Sequence, residues 1–426
     1  MARKRHEGAP LKLTNAAVPA PLLGAAGDGI SLVDIVVDGE TIASVTPASG
    51  EAGDLDCAGG MVVPAFVDLH THIDKGHIAP RTANPDGTFL GALNAVQADR
   101  NASWTAADVA ARMEFALQCA YAHGTAALRT HIDSAPPQDD VSWPVFAEMR
   151  ERWAGRITLQ GSSLIGIDSL PEDLAPLFDK VTAFGGIVGA VLYPVPDLVP
   201  RLRALMEEAE TRGLDIDFHV DETLDPASNG LSAVAAEATR IGFSGTVTCG
   251  HCCSLMTMDD AVADRTLDAV AAAALAIVSL PMCNLYLQDR TPGGKRTPRI
   301  RGGTLVHEMA SRGIKVAIAS DNTRDPFYAY GDLDMMEVWR EATRVLHLDH
   351  PVGQWPLAFN ATPAAIMGLA DRDAIGPGAP ADLVLFKARR YDELFSRPQT
   401  DRTVIRAGKV LDCTLPDYAA LDETLR

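Results

Sequence analysis

The middle of the chain alternates short apolar runs with helical stretches, and this alternation restricts the fold more than any other feature of the sequence. The helical stretches, which include residues 106–122, 198–212 and 303–312, are rich in alanine, leucine and glutamate. Eight strand–helix alternations indicate an α/β protein built on a (β/α)8 barrel. A doubly wound sheet is the alternative, but no Gly-x-Gly-x-x-Gly motif follows the first apolar run. The predicted strands are residues 61–69, 125–131, 157–165, 186–193, 214–220, 245–251, 275–282 and 315–321.

The two ends of the chain carry a different pattern, that of short β-hairpins. Residues 32–37 form a largely apolar run that Asp38 and Gly39 follow, as in a strand that enters a tight turn. A matching pattern recurs near the other end of the chain. We therefore expect both ends to form one small β-sandwich. The predicted domains are residues 1–60 and 371–426 for the two parts of the sandwich, and residues 61–370 for the barrel.

Charge and cysteine content restrict the partners and the compartment of the protein. The chain of 426 residues has a net charge of −19, which argues against a nucleic acid or an anionic membrane as partner. Its seven cysteines lie mostly in apolar runs, which predicts reduced, buried thiols and a cytoplasmic location. The basic residues 1–6 precede no apolar stretch, so we expect no signal peptide. Three charged residues interrupt the most hydrophobic segment, residues 261–278, and argue against a membrane span.

A pair of histidines ends the first predicted strand. His70 and His72 lie two residues apart, so in a strand their imidazoles share one face and can bind one metal ion. Neutral imidazole is the usual protein ligand of zinc and of iron(II). For an isolated His-x-His pair, two solvated loop histidines are the alternative interpretation.

Three further strand ends carry residues of related chemistry. His219 ends the fifth predicted strand and Glu222 follows it, His251 ends the sixth, and Asp321 ends the eighth. The carboxyl ends of barrel strands meet at one face, so we expect these side chains to converge. Three histidines and a carboxylate leave a position for water, as catalytic zinc sites require. For Glu222 the alternative is a solvated carboxylate at the start of a helix, where negative charge is favourable.

The order of these motifs resembles the amidohydrolase superfamily and, within it, the cytosine deaminase-like branch. The resemblance includes the His219-Val220-Asp221-Glu222 spacing and extends over nearly the whole chain, through residues 128–133, 284–290, 321–327 and 376–384. It implies a distorted (β/α)8 barrel with a β-sandwich made from both termini. The Pro-Cys-x-x-Cys motif of the unrelated zinc deaminases does not occur in the sequence.

The resemblance also implies roles for the strand-end residues. Relatives with two metals bridge them through a lysine at the end of strand four, and residues 186–194 contain no lysine. Glu222 is expected to move a proton onto the ring nitrogen beside the reacting carbon. Asp321 is expected to take the proton of the attacking water, and His251 to hold the attacking oxygen. One divalent metal ion per chain, Zn²⁺ or Fe²⁺, is expected on four ligands: His70, His72, His219 and Asp321.

Two pocket positions differ from the cytosine deaminase pattern. Gly166 replaces a glutamine, which leaves space and removes an amide, and Asn322 replaces an acid with a group that both donates and accepts hydrogen bonds. Phe89, Leu164 and Phe327 are expected to form apolar walls of the substrate pocket.

The predicted function is hydrolytic deamination of a free pyrimidine base, cytosine or a 5-methylcytosine-like ring, with water as the second reactant and ammonia as a product. Creatinine-like rings and triazines are alternative substrates. A hydrolase of cyclic amides, and a non-catalytic barrel that binds a metal or a nucleobase, are alternative functions. Lys75 and His77 either contact the substrate or lie in a loop. The sequence leaves the oligomeric state open, a homo-oligomer included.

Overall fold

The structure, a computed structural model, describes residues 10–369, 371–372 and 374–425. The basic N-terminal residues 1–6, for which no signal peptide is expected, lie outside these ranges. The chain divides into two compact units. One contains the described residues up to Val67 with Ala120–Ala127 and Asp334–Leu415, and the other contains Asp68–Cys119, Leu128–Leu333 and the described residues from Pro416 onward. The domain boundaries after residues 60 and 370 stay predictions.

Strands and helices alternate through the middle of the chain and become mainly strands at its ends. In chain order, the described strands are β1 (Leu11–Pro19), β2 (Ile30–Asp38), β3 (Thr41–Pro47), β4 (Leu55–Asp56), β5 (Val62–Pro64), β6 (Phe66–Thr71), β7 (Thr125–Asp133), β8 (Thr158–Leu164), β9 (Val191–Leu192), β10 (Ile216–Val220), β11 (Val247–His251), β12 (Ala276–Ser279), β13 (Lys315–Ile318), β14 (Leu383–Leu385), β15 (Thr403–Arg406) and β16 (Lys409–Val410). The described α-helices are α1 (Phe89–Ser103), α2 (Ala106–Ala122), α3 (Asp139–Arg152), α4 (Ala175–Ala183), α5 (Leu198–Arg212), α6 (Gly230–Ile241), α7 (Asp260–Ala272), α8 (Pro281–Leu287), α9 (Val306–Ser311), α10 (Met335–Leu346), α11 (Ala361–Ile366) and α12 (Tyr391–Ser396).

The first unit contains the β-sandwich that the ends of the sequence predict. One sheet has the order β3-β2-β1-β4 and the other the order β16-β15-β14-β5. The predicted hairpin is present, with Asp38 paired to Thr41 in antiparallel β2 and β3. Bridges Ala17–Met61 and Thr41–Pro380 join the two sheets along their edges. Both chain ends therefore contribute strands to one buried apolar layer.

The single strand predicted over residues 61–69 is wrong, because two strands occupy this run. β5 pairs antiparallel with β14, and β6 begins the barrel one residue later. At the break, the backbone N–H of Ala65 donates to the carbonyl of Asp382 over 2.8 Å. Both strands are almost wholly buried, so the apolar pattern continues through the break and gives no sign of it.

Eight described strands, β6 to β13, form a distorted barrel, and all but the first residues of β6 and β7 belong to the second unit. β6, β7 and β8 form one sheet, and β9 to β13 form a parallel sheet in sequence order. Bridges Ser162–Ile187 and Thr71–Asp321 connect the two sheets and close the ring. Strand four is reduced to two residues, which is where the barrel departs most from the ideal form. The predicted α/β barrel with a terminal β-sandwich is confirmed.

The helical predictions agree with the structure at several places. The predicted segments 106–122 and 198–212 coincide with α2 and α5, whereas 303–312 is reduced to the six-residue α9. The hydrophobic segment 261–278 forms most of α7 and then β12. Among the described residues, we find no helix with the length and apolar character needed to cross a bilayer.

Candidate active site

Barrel closure brings the first strand beside the last one. The backbone N–H of Asp321 donates to the carbonyl of His70 over 2.9 Å. On the other side of the ring, His219 pairs with Gly250, so the ends of β10 and β11 lie level. The strand ends that the sequence singles out therefore meet at one end of the barrel, where barrel enzymes carry their active sites.

Three imidazoles and one carboxylate converge at this point. His219 Nε2 lies 3.2 Å from His70 Nε2 and 3.2 Å from His72 Nε2. Asp321 Oδ1 lies 3.2 Å from His72 Nε2 and 3.7 Å from His70 Nε2. All four side chains are buried. The structure thus brings together the four residues that we predict as metal ligands.

The chemistry of this cluster fits a divalent cation. Burial, the largest influence, lowers the pKa of His70, His72 and His219 well below the usual range, so the imidazoles are neutral. Neutral imidazoles whose Nε2 atoms face one another cannot all be satisfied by shared protons. Neither carboxylate oxygen of Asp321 has a hydrogen-bond partner among the described residues. A cation would satisfy these facing nitrogens and the carboxylate together.

His131 holds His70 in place. Its Nε2 lies 3.0 Å from Nδ1 of His70, on the side of the ring away from the cluster. A hydrogen bond to Nδ1 directs Nε2 of His70 toward the cation position, which is how metal-binding histidines are commonly oriented. Below it, the buried ion pair of Arg129 and Asp217, 2.7 Å long, fills the barrel interior.

The backbone at two strand ends is held in the left-handed region. His251 has φ 69° and Asp321 has φ 66°, values that are unusual for residues other than glycine. Such conformations persist where surrounding contacts enforce them, and they are frequent at functional sites. Gly250 is needed for another reason, since a Cβ atom there would lie 2.9 Å from Cε1 of His70.

Glu222 faces the cluster from a loop, together with His251 and Asn284. The amide nitrogen of Asn284 lies 3.1 Å from Glu222 Oε1 and 3.1 Å from His251 Nδ1. An amide nitrogen only donates hydrogen bonds, so Glu222 Oε1 accepts from Asn284 whether or not the carboxyl group is protonated. His251 Nδ1 then accepts as well, and the ring carries its proton on Nε2. This Nε2 is buried and has no partner among the described residues.

Burial also sets the protonation of these groups. It lowers the pKa of His251 to about 3, so the ring is neutral at physiological pH. It raises the pKa of Glu222 well above the usual range, and negative charge on Asp321 raises it further. Burial likewise raises the pKa of Asp321, to about 7. Glu222 is therefore suited to hold and deliver a proton at neutral pH.

The helix-start interpretation of Glu222 is wrong. α6 begins only at Gly230, and the neighbouring Asp221 accepts hydrogen bonds from the N–H groups of Gly230 and Leu231, each over 3.0 Å. Asp221 thus occupies the helix N-terminus, and Glu222 is free to line the cavity.

A cavity of about 720 Å³ opens onto this cluster. The three residues predicted as apolar walls, Phe89, Leu164 and Phe327, all line it. Phe89 begins α1 and meets Phe327 edge to face, with ring centroids 5.3 Å apart. Leu164 is the last residue of β8. The cavity also contains His72, His219, Glu222, His251, Asp321, Asn322 and Gly166.

The space beside Gly166 is occupied, contrary to the expectation that the missing side chain leaves room. A Cβ atom at Gly166 would lie 2.8 Å from the Tyr193 hydroxyl oxygen. This hydroxyl donates a short hydrogen bond to Asp168. Tyr193, which follows strand four, therefore supplies a polar group where the glutamine is lost.

Asn322 is held by two neighbours. Its amide nitrogen donates to Asp325 Oδ2 over 2.6 Å, and its carbonyl oxygen accepts from the Cys283 thiol over 3.4 Å. Asp325 in turn accepts from the backbone N–H groups of Phe327 and Tyr328. The orientation of the Asn322 amide toward the cavity is therefore fixed before any substrate binds.

Cysteines surround the site without forming a reactive pair. Cys249 and Cys252 have Cys-x-x-Cys spacing around His251, and Cys253 follows. All three are buried, and burial raises the pKa of each thiol well above its usual value. Thiols of this kind are unreactive. Two cysteines depart from the buried prediction, since Cys57 is half-buried and Cys413 is exposed.

Sequence patterns alone did not assign a role to Asn284, Tyr193 or Asp325. Each lies beyond a strand end rather than on it, so strand periodicity does not single it out. The signal in the sequence is that each ends or follows a predicted strand and so lies near the active-site face of the barrel. Lys75 and His77, for which the sequence leaves substrate contact and a loop position open, differ in their location. Lys75 lines the cavity, whereas His77 packs against the ring of Phe115 away from it.

Comparison with known proteins agrees with this architecture. A family model described as the amidohydrolase family matches residues 176–412. The chain belongs to the amidohydrolase family. Members of this family typically use a divalent metal ion, in keeping with the cluster of histidines.

Particular relatives are heterocycle hydrolases. The chain is 52% identical over 422 residues to a pterin deaminase of Rhizobium rhizogenes, covering 97% of this chain and 96% of that one. It is 22% identical to an N-isopropylammelide isopropyl amidohydrolase of Pseudomonas sp., over 89% of this chain and 94% of that one. Its fold matches that of a 5-methylcytosine deaminase from Klebsiella pneumoniae liganded with 5-fluorocytosine, with a TM-score of 0.82, 24% identity and coverage of 96% and 98%.

These findings confirm the resemblance to amidohydrolases and the prediction of an enzyme, at the level of a hydrolase of this family. The pyrimidine substrate, the identity of the metal and the role of each site residue stay predictions.

Proposed function

We propose that the protein is a metal-dependent deaminase of an amino-substituted heterocycle, with a pterin as the substrate. The observation that supports it most is the group formed by Glu222 and His251, which line one cavity together with His72, His219 and Asp321 and are joined from behind by Asn284. The relative of 52% identity named as a pterin deaminase supports the choice of ring. The reaction consumes water: a C–O bond forms at the amidine carbon, the C–N bond to the exocyclic amine breaks, and ammonia leaves.

The residues divide the proton transfers between them. Protonated Glu222 donates to the ring nitrogen beside the reacting carbon, which lets the ring accept the electrons of the attacking oxygen. Asp321 takes the proton of the attacking water and passes it to the leaving amine. His251 donates from Nε2 to the attacking oxygen and stabilises its charge. A divalent cation on His70, His72, His219 and Asp321 would supply the positive charge that makes water a stronger acid at neutral pH.

The size of the cavity agrees with a bicyclic ring. A volume of about 720 Å³ lies well within the range of sites for drug-sized ligands. The fused ring of a pterin has apolar faces that the edge-to-face pair of Phe89 and Phe327 can cover. Cytosine and 5-methylcytosine are the second candidate substrates, favoured by the likeness in fold to the 5-methylcytosine deaminase.

A substrate panel tests the proposal directly. We expect ammonia release from pterin with a kcat/KM about tenfold or more above that for cytosine, 5-methylcytosine or creatinine, because a smaller ring leaves part of the apolar cavity unfilled. Ammonia and the oxo product should form in equal amounts. Release of ammonia from cytosine but not from pterin would restore the pyrimidine assignment. Activity on none of these rings, in protein that contains metal, would favour a hydrolase of cyclic amides or a binding protein.

Asn284 should act as a positioning residue for the same reaction. In Asn284→Leu, neither Glu222 nor His251 accepts a hydrogen bond from the amide. We expect kcat to fall by about 10- to 100-fold, because this is the effect of losing one or two hydrogen bonds to charged or polar groups. KM should change by less than about threefold, since Asn284 does not line the cavity. Asn229→Leu, on an exposed asparagine before α6, is the control. Equal losses in both variants, or a change confined to KM, would contradict the positioning role.

A further inference from the structure

Lys75 carries a buried positive charge that the proposed mechanism does not use. It lies in the loop after β6, is only 8% exposed and lines the same cavity as Glu222 and Asp321. Within the described part of the chain, its ammonium has no hydrogen bond and no ion pair, and the ring face of Phe327 lies 4.4 Å from Nζ to the centroid. An ammonium that is removed from water without a partner is unfavourable, and a ligand in the cavity can supply the partner.

The charge of Lys75 affects the pKa of the nearby carboxyl groups, although none of them forms an ion pair with it among the described residues. Burial raises the pKa of Glu222, Asp321 and Asp325, and the charge of Lys75 opposes this rise, yet no carboxylate oxygen of the described residues lies within ion-pairing distance of Nζ. The aromatic face of Phe327 occupies one side of the ammonium. The N–H bonds that do not face this ring are therefore available to a ligand in the cavity that Lys75 lines.

An ammonium only donates hydrogen bonds, so its partner in the substrate must be an acceptor. In a pterin, and equally in cytosine, a single ring nitrogen separates the amine-bearing carbon from a carbon that carries an oxo oxygen. In cytosine, and in the pterin tautomer whose C=N bond joins the amine-bearing carbon to that nitrogen, attack at this carbon moves electron density onto that nitrogen and that oxygen. A cation beside the oxygen stabilises both the bound ring and the charge that develops during attack.

We propose that Lys75 binds the oxo oxygen of the substrate ring and thereby restricts the enzyme to amino-heterocycles that carry an oxo group next to the shared ring nitrogen. This inference rests on the proposed function and narrows its substrate class. Lys75 and the apolar pair Phe89–Phe327 together would recognise the acceptor edge and the faces of the ring, and Asn322 would present its fixed amide to a further edge.

Binding without turnover separates this inference from the proposed function. In the Glu222→Gln background, equilibrium binding of pterin and of 2,4-diaminopteridine is followed by pteridine fluorescence; the second ligand has an amine in place of the oxo oxygen. We expect pterin to bind about tenfold or more tightly than the diamino ring, the size of a hydrogen bond to a charged donor. Adding Lys75→Met should bring the two affinities to within about threefold of each other.

Turnover provides the second measurement. Lys75→Met should lower kcat/KM for pterin by about 10- to 100-fold, Lys75→Arg by less, and the control Lys315→Met, on an exposed lysine at the start of β13, should leave it unchanged. Metal content and melting temperature establish that each variant is folded.

Equal losses of affinity for both ligands would overturn the inference. If Lys75→Met does not fold, the ligand comparison in Glu222→Gln decides alone, and equal binding of the two rings overturns it. If the wild-type protein releases ammonia from none of the rings, the proposed function is wrong. The binding comparison of pterin with 2,4-diaminopteridine still tests the role of Lys75 in that case.

Discussion

Replacing Glu222 with glutamine is expected to lower kcat by about 100-fold or more, because the amide keeps the shape of the side chain but cannot donate and recover a proton as a carboxyl group does. The buried position of Glu222 raises its pKa, which favours the protonated form that can donate a proton. The hydrogen bond from Asn284 and the nearby His251 hold it toward the cavity.

Metal content and control variants define what a loss of activity means. In Glu222→Gln the metal content should match that of the wild-type protein, since Glu222 is not among the four converging ligand residues. Asp225→Asn, on an exposed carboxylate at the rim of the same cavity, should keep activity within about threefold. Activity of Glu222→Gln within about tenfold of wild type would assign the proton transfer to another residue.

Replacing His219 with alanine is expected to have the largest effect of any single substitution. His219 Nε2 lies 3.2 Å from both His70 Nε2 and His72 Nε2, so its imidazole is central to the cluster. Removing it leaves three of the four predicted ligand residues, and we expect metal content to fall from one ion per chain to well below half. Activity should fall by about 1,000-fold or more, because water then lacks the charge that acidifies it.

Elemental analysis and circular dichroism provide the measurements for this variant. His307→Ala, on an exposed histidine of α9, controls for the loss of an imidazole and should keep both metal and activity. Two tightly bound ions per wild-type chain would contradict the single-metal prediction. The single-metal prediction depends on the placement of strand four. Val191 of this strand pairs with His219, as expected for strands four and five, and residues 186–194 contain no lysine.

Local patterns in the sequence were enough to predict the barrel, the sandwich and the residues at the strand ends. Strand periodicity and strand–helix alternation are properties of neighbouring residues, so they can be recognised without knowing the three-dimensional contacts. Once a barrel is inferred, its geometry requires that strand ends meet, which is why His70, His72, His219 and Asp321 could be grouped before any distance was known.

Tertiary structure decided what the loops and the interior of the cavity contain. The break at Ala65 is invisible in an apolar run, since both strands are buried but pair with different partners. Tyr193 fills the space beside Gly166 because strand four ends next to β8, a contact between residues far apart in the sequence.

The roles within the cavity depend on the same kind of long-range contact. Asn284 joins Glu222 to His251 across 62 and 33 residues of sequence, and the fold places Lys75 beside an aromatic face with no ion pair among the described residues. Residue type and spacing along the chain thus determined the fold and the residues that converge at the strand ends. The closure of the barrel determined which polar groups find partners and which are left for a substrate, because hydrogen bonding and burial depend on the atoms that folding brings together.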